Sequence, residues 1–266
     1  MQSLLVRGWR RIRRSIAKEK NQNIPTDHKL EDIFLVSFPK SGNTWVRFLI
    51  ANAIKLHYGI QRDVNFFTIQ DIIPDVQLNN NIRSSGPFGI AELPRIIKSH
   101  SEYHPKYQRV ILIVRNPQDA LISYFYYLNS LGIISDDWTL SQFVRSNFGA
   151  KAWNKHAQSW LQTKQGQYIR IFKYEDFLAD PVQQLAQVMN LLGLSITSEV
   201  LEKAVYLSSF ENMKKLEQQT MSTRLLETQK TAFVRQGKAT GGKELAEADQ
   251  QYVELITGST SKALNY

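Results

Sequence analysis

Lys40, Ser41, Gly42 and Thr44 stand between a run of apolar residues, Ile33 to Phe38, and a stretch with helical spacing from about Asn43 to His57. A loop between a buried strand and a helix N-terminus is an anion site. Its backbone N–H groups point outward, the helix dipole favours negative charge, and the Lys, Ser and Thr side chains add donors. The order differs from the common nucleoside-triphosphatase loop, G-x-x-x-x-G-K-[ST]: Lys40 precedes the single Gly42 instead of following a second glycine. The pattern predicts phosphate binding and disfavours a standard triphosphatase.

Two further groups suit the same chemistry. Lys98 and His100 lie two apart at the end of a short apolar run, so on a strand their side chains leave one face. A neutral imidazole there can take a proton from an attacking hydroxyl or amine, and an adjacent ammonium can face developing negative charge. An isolated histidine at a strand end is more often structural, so this reading depends on its neighbours. Arg115 closes another apolar run, and Ser123 falls about two turns into the helix that follows; the two can converge on one phosphate.

The elements that must position these residues follow from periodicity. Strands are expected at 33–38, 95–99, 109–114 and 168–172, and helices at 43–57, from Pro117 onward, and at 138–148, 153–164, 176–192 and 198–207. Residues 74–94, rich in Asn, Ser, Gly and Pro, are expected to form a long loop, as are 218–245. Strands separated by helices imply a single α/β domain with a central, mostly parallel sheet covered on both faces.

Taken in order, the motifs resemble the cytosolic-type sulfotransferases that use 3′-phosphoadenosine 5′-phosphosulfate (PAPS). That family's 5′-phosphosulfate loop reads close to Y-P-K-S-G-T-T-W, from which Phe38 to Trp45 departs at Phe38 and Asn43. Further matches are Pro94 to His100 (PRIIKSH), Val114 to Tyr124 (VRNPQDALISY), Tyr174 to Phe177 (YEDF) and Phe233 to Gly237 (FVRQG), so the resemblance spans about residues 33–245. It implies a P-loop-like fold, His100 as catalytic base, and Lys40 and Lys98 as cations on the transferring group. It further implies PAPS as co-substrate, adenosine 3′,5′-bisphosphate as product, and no metal. Lys40, Ser41, Gly42, Asn43, Thr44 and Trp45 would bind the 5′ end of the nucleotide. Arg115, Ser123, Arg235, Gln236 and Gly237 would bind its 3′-phosphate side, while Trp45, Tyr174, Ser208 and Phe210 match the adenine pocket. The family's R-K-G-x-x-G-D-W-K is replaced by Arg235 to Lys243 (RQGKATGGK), which loses a lysine, a glycine and the Asp-Trp pair. The acceptor pocket would draw on residues 74–94, Tyr124 to Tyr127 and the helix containing His156.

Composition narrows the alternatives. The 266 residues contain no cysteine, which removes disulfides, thiolate metal sites and cysteine nucleophiles, and the five histidines are scattered. The net charge is +9, but residues 1–20 carry seven Lys/Arg and one Glu, leaving +3 for the other 246. That balance suits a small polyanion and argues against a nucleic-acid surface. Residues 1–25 form a basic amphipathic segment ahead of a domain at 26–266: Leu5, Trp9, Ile12 and Ile16 share one helical face. Docking on the protein's own surface is favoured over peripheral contact with an anionic membrane. No apolar stretch follows the arginines, so cytoplasmic residence is expected, with an organellar presequence as the alternative. The expected function is transfer of a sulfuryl group to a hydroxyl or amine of a small-molecule or lipid acceptor. A P-loop kinase or hydrolase and a non-catalytic nucleotide-binding adaptor at a membrane surface are the competing readings. Oligomeric state is open.

Overall fold

The computed structural model describes residues 23–82, 85–162, 168–221 and 242–266. Four strands, β1 (Ile33–Ser37), β2 (Ile96–Ser99), β3 (Arg109–Val114) and β4 (Tyr168–Lys173), form one sheet in the order β2-β1-β3-β4, and every pairing is parallel. The register sets Val36 beside Ser99 on one side and beside Leu112 on the other.

Side chains alternate along β1 and divide the core into two layers. Ile33 and Leu35 face α1 (Asn43–His57), with α7 (Pro181–Leu191) and α8 (Ser198–Leu207) on the same side. Phe34 and Val36 face α3 (Pro117–Ser130), α5 (Ala150–Leu161) and α10 (Glu247–Ala263). A sheet buried on both faces needs apolar residues at successive positions, which is why β1 and β3 appear in the sequence as unbroken apolar runs. The shorter helices are α2 (Ile69–Ile72), α4 (Leu140–Arg145), α6 (Tyr174–Ala179) and α9 (Phe210–Met221).

Several expected elements shift. The single helix expected at 176–192 is two: α6 ends at Ala179, and Asp180 caps α7 by accepting from the Gln183 amide at 2.9 Å, with Pro181 in the first turn. Proline has no N–H to continue a helix and its ring is preset for starting one. The helix expected at 138–148 contracts to α4, with Thr139 and Gln142 closing a capping box. Residues 74–94 are not one unstructured loop. Asp75 bridges Lys98 in parallel at the β2 edge, and Pro87–Gly89 make a 3-10 turn. Helices α9 and α10 have no counterpart in the periodicity reading. The basic segment expected at residues 1–20 and the motif Phe233 to Gly237 lie outside the described residues.

β1 and β3 lie side by side inside the sheet; the connection leaving β1 runs outward to β2, and the one leaving β3 runs outward to β4. In such sheets ligands bind at the carboxyl ends of the strands, where the connections diverge. Each of the four strands is followed there, within three residues, by a residue singled out by sequence: Lys40, His100, Arg115 and Tyr174.

Candidate active site

The loop after β1 has the geometry of an anion cradle. Lys40 adopts φ 65° and Gly42 φ 94°, both left-handed, so the chain turns sharply before entering α1. A non-glycine residue pays about 1 kcal/mol or more for that conformation. The Lys40 carbonyl is held by Arg115, whose Nη1 donates to it at 3.0 Å. Gly42 is required for a second reason: a Cβ there would lie 2.4 Å from Cδ2 of Tyr174. As the N-cap of α1, Gly42 contributes no side-chain acceptor, so among the described residues no side chain caps the amides of the first turn. At the next loop of the same kind, Asn116 caps α3 with its own side chain, accepting from the amides of Gln118 and Asp119 at 3.0 and 3.4 Å. The first turn of α1 could thus donate its amides to an external anion. The Ser41 hydroxyl is buried beside it with no hydrogen-bond partner among the described residues.

β2 delivers Lys98 and His100, two residues apart as expected. His100 Nδ1 lies 2.7 Å from the Ser37 carbonyl. A carbonyl only accepts, so Nδ1 carries the proton and Nε2 the lone pair. Burial, and secondarily the Lys98 charge, hold the imidazole pKa well below its ordinary value, leaving the ring neutral at physiological pH. The backbone around it is pinned on both sides. Tyr107 gives its hydroxyl proton to the Asn23 carbonyl at 2.6 Å, so the Ser99 hydroxyl donates to Tyr107 at 2.9 Å. Beyond His100, the Ser101 amide donates to Ser99 Oγ and the Ser101 carbonyl accepts from the Trp160 indole.

β3 delivers Arg115, buried at the strand end, with its guanidinium 4.5 Å from the centre of the Tyr174 ring. Tyr174, at the end of β4, is buried between Arg115 and Gly42 and meets Trp45 edge to face at 5.9 Å. It therefore forms the floor of the loop. The Trp45 indole donates to the Ser208 carbonyl at 2.9 Å, and the Ser208 hydroxyl accepts from Asn52, a residue of α1 that sequence reasoning did not select. Phe210 is more than a third exposed at the start of α9 beside this group. Thr44 and Ser123 are half-buried on α1 and α3. Asn43 turns its amide inward, donating to the Leu35 carbonyl at 3.1 Å and Ser37 Oγ at 3.2 Å, so its side chain braces β1, whose Ser37 carbonyl accepts from His100. Arg235, Gln236 and Gly237 lie outside the described residues. The chain returns at Gly242, whose amide donates to Asp119 Oδ1 at 3.2 Å in the first turn of α3.

On the other side of the loop, aromatic groups gather. Phe38 packs edge-on between Tyr124 and His156, at 5.6 and 5.8 Å, and Lys40 Nζ lies 4.7 Å from the centre of the Tyr127 ring. His156 is buried, and burial lowers its pKa to about 4. Two charged residues were missed: Asp75, paired with Lys98 at 2.6 Å, and Arg47 of α1, which donates to the carbonyls of Ile69 and Ile73. The only local signal for Asp75 was its place after Pro74 in a loop.

A three-layer α/β fold with an uncapped helix start, a locked neutral histidine and two lysines at the carboxyl ends of parallel strands defines a nucleotide-dependent group-transfer protein. The sulfotransferase domain family profile matches residues 30–253, and the chain belongs to the sulfotransferase family. It is 26% identical over 239 residues to sulfotransferase 1B1 of Canis lupus familiaris, covering 82% of this chain and 79% of that one. It is 28% identical over 255 residues to a 3-beta-hydroxysteroid sulfotransferase of Cavia porcellus, covering 88% and 86%. Its fold is that of retinol dehydratase solved with retinol and PAP (TM-score 0.66, 19% identity, 94% of this chain and 86% of that one) and of mouse sulfotransferase SULT7A1 complexed with PAP (TM-score 0.64, 20% identity, 92% and 88%). Among the described residues no group of His, Cys, Asp and Glu could hold a metal ion, and no helix is long and apolar enough to cross a membrane.

Proposed function

We propose that this sulfotransferase moves the sulfuryl group of PAPS to a hydroxyl or amine of a small-molecule or lipid acceptor by in-line displacement, with His100 as general base. The observation that carries the reading is the hydrogen bond from His100 Nδ1 to the Ser37 carbonyl, which leaves the lone pair on Nε2. The donor fits the loop chemically. The uncapped amides of α1, the orphaned Ser41 hydroxyl, Lys40 and Thr44 would hold its 5′ end, and Arg115 with Ser123 its 3′-phosphate. Trp45, Ser208 and Phe210 would flank the adenine, with Tyr174 beneath, and Arg235, Gln236 and Gly237 would complete the 3′ side.

PAPS, when bound, supplies an activated sulfuryl group on an anionic leaving group. His100 Nε2 takes the acceptor's proton, and Lys40 and Lys98 face the charge that gathers on the sulfuryl and bridging oxygens. A sulfuryl group bears less negative charge than a phosphoryl group, so lysines and backbone amides suffice without a metal. The aromatic wall of Phe38, Tyr124 and Tyr127 supports an apolar alcohol or phenol as acceptor. Relatives named for hydroxysteroids support the same class. The domain starts earlier than residue 26 in this reading, because Ile24 is buried in the core and the Asn23 carbonyl accepts from Tyr107, which leaves a basic segment shorter than the expected 1–25 ahead of it; the protein would reside in the cytoplasm.

Calorimetric titration tests the donor site. Adenosine 3′,5′-bisphosphate should bind tightly without metal and 5′-AMP far more weakly. Preference for ATP with Mg²⁺ would replace the reading with a kinase or hydrolase, and binding of neither would favour the non-catalytic adaptor.

A further inference from the structure

Lys98 does not stand alone at the end of β2. Its Nζ donates to Asp75 Oδ2 at 2.6 Å, and the two side chains are 10% and 8% exposed. The pairing is built into the backbone. Lys98 N donates to the Pro74 carbonyl at 2.8 Å and Val76 N to the Lys98 carbonyl at 3.1 Å, so Asp75 sits opposite Lys98 in a parallel bridge. Asp75 Oδ1 accepts from the Gln77 amide at 3.0 Å, which fixes the orientation of the carboxylate.

We propose that Asp75 is a positioning residue for the transfer reaction: its carboxylate holds the Lys98 ammonium beside His100, taking one N–H and leaving two for the reacting group. The proposal rests on the reading that Lys98 acts on the sulfuryl group, and it adds what keeps that lysine in place and charged. Among the described residues, three charged or titratable groups face Lys98: Asp75 from the segment before β2, Arg47 from α1, and His100 from the end of β2 itself. Burial lowers the Lys98 pKa, Asp75 opposes it, and Arg47 adds to the lowering. Arg47 is itself brought down to about 10 by burial and stays cationic at neutral pH. Without the carboxylate, the ammonium would share a buried space with a second cation and no counter-charge, and would lose its proton at lower pH. A neutral amine offers much less to a developing oxyanion.

The test uses the full chain with labelled lysine. Asp75→Asn keeps the shape of the side chain and leaves the bridge's two backbone hydrogen bonds untouched; unchanged binding of adenosine 3′,5′-bisphosphate reports that the variant is folded. The Lys98 side chain, assigned with Lys98→Met, is titrated by NMR in the wild type and variant, and kcat is profiled against pH. In Asp75→Asn the Lys98 midpoint should fall by about one to three pH units. The alkaline limb of kcat should follow it downward, with the KM for PAPS little changed. Asp75→Glu, which keeps the charge, should restore most of the midpoint and also serves if the amide variant does not fold. A Lys98 midpoint that does not move overturns the proposal. A midpoint that moves while the rate limb stays overturns the role of Lys98 in the reaction, and with it the reading on which the proposal rests.

Discussion

His100 is set for the proposed role of general base by two features of different kinds. The Ser37 carbonyl chooses the tautomer, and burial beside Lys98 keeps the ring from being protonated. His100→Ala should lower kcat by roughly 100-fold or more while leaving the affinity for adenosine 3′,5′-bisphosphate unchanged, because a general base acts on the acceptor's proton and not on the nucleotide. Full activity in the variant would remove the assignment. The sign of the pH dependence follows from the lowered pKa. The base is lost only when the imidazole binds a proton, so the acid limb of kcat/KM should lie well below pH 6.5. A limb at or above that value would contradict a buried, neutral base.

The proposed phosphate loop and the helix it opens act as one element. Gly42 is the hinge between them, and both its left-handed φ and the Tyr174 ring against its missing Cβ exclude a side chain. Gly42→Ala introduces a backbone cost of about 1–2 kcal/mol and a contact that Tyr174 must yield to. Affinity for adenosine 3′,5′-bisphosphate by calorimetry should fall by about tenfold or more. An unchanged affinity would show that the amides of α1 do not bind the anion. This element was legible in the sequence because strand, loop and helix are contiguous and each announces itself locally: an apolar run, a glycine, a helical period. The segment bearing Asp75 was not. Its single bridge to Lys98 joins residues 23 apart and leaves no periodic trace. The break between α6 and α7 was visible in Pro181, but the apolar spacing on both sides masked it.

At the scale of the molecule, the sheet gathers four strand ends into one cleft, and the layers around it bury groups that would otherwise titrate. His156 is an example: unfolded, it binds a proton near pH 6.5, but folded only near about 4. Between those values the unfolded chain holds more protons, so stability is fully present above pH 6.5 and is lost as pH falls toward 4, by about 3 kcal/mol from this group. Denaturant unfolding followed from pH 7 to 4 should show the midpoint falling, and His156→Gln should flatten that fall. The same slope in the variant would assign the acid sensitivity to other groups. The polar side chains around the site show the same division of labour. Asn43 and Tyr174 match nucleotide-binding positions by motif, yet the fold turns the Asn43 amide into the sheet and lays the Tyr174 ring beneath the loop.

The sequence alone determined the order of the strands and helices around the loop, the nature of that loop, and the residues that converge on the site: Lys40, Lys98, His100 and Arg115. The elements follow from periodicity and caps, which act over a few neighbouring residues, and the grouping of these four residues follows from the ordered motifs that resemble the family. Tertiary structure decided which carboxylate faces Lys98, which nitrogen of His100 keeps its proton, and which side chains brace the site instead of lining it. Those outcomes depend on parallel register and burial between segments 23 and 63 residues apart, and the closure of such loops is set by the packing of the whole core.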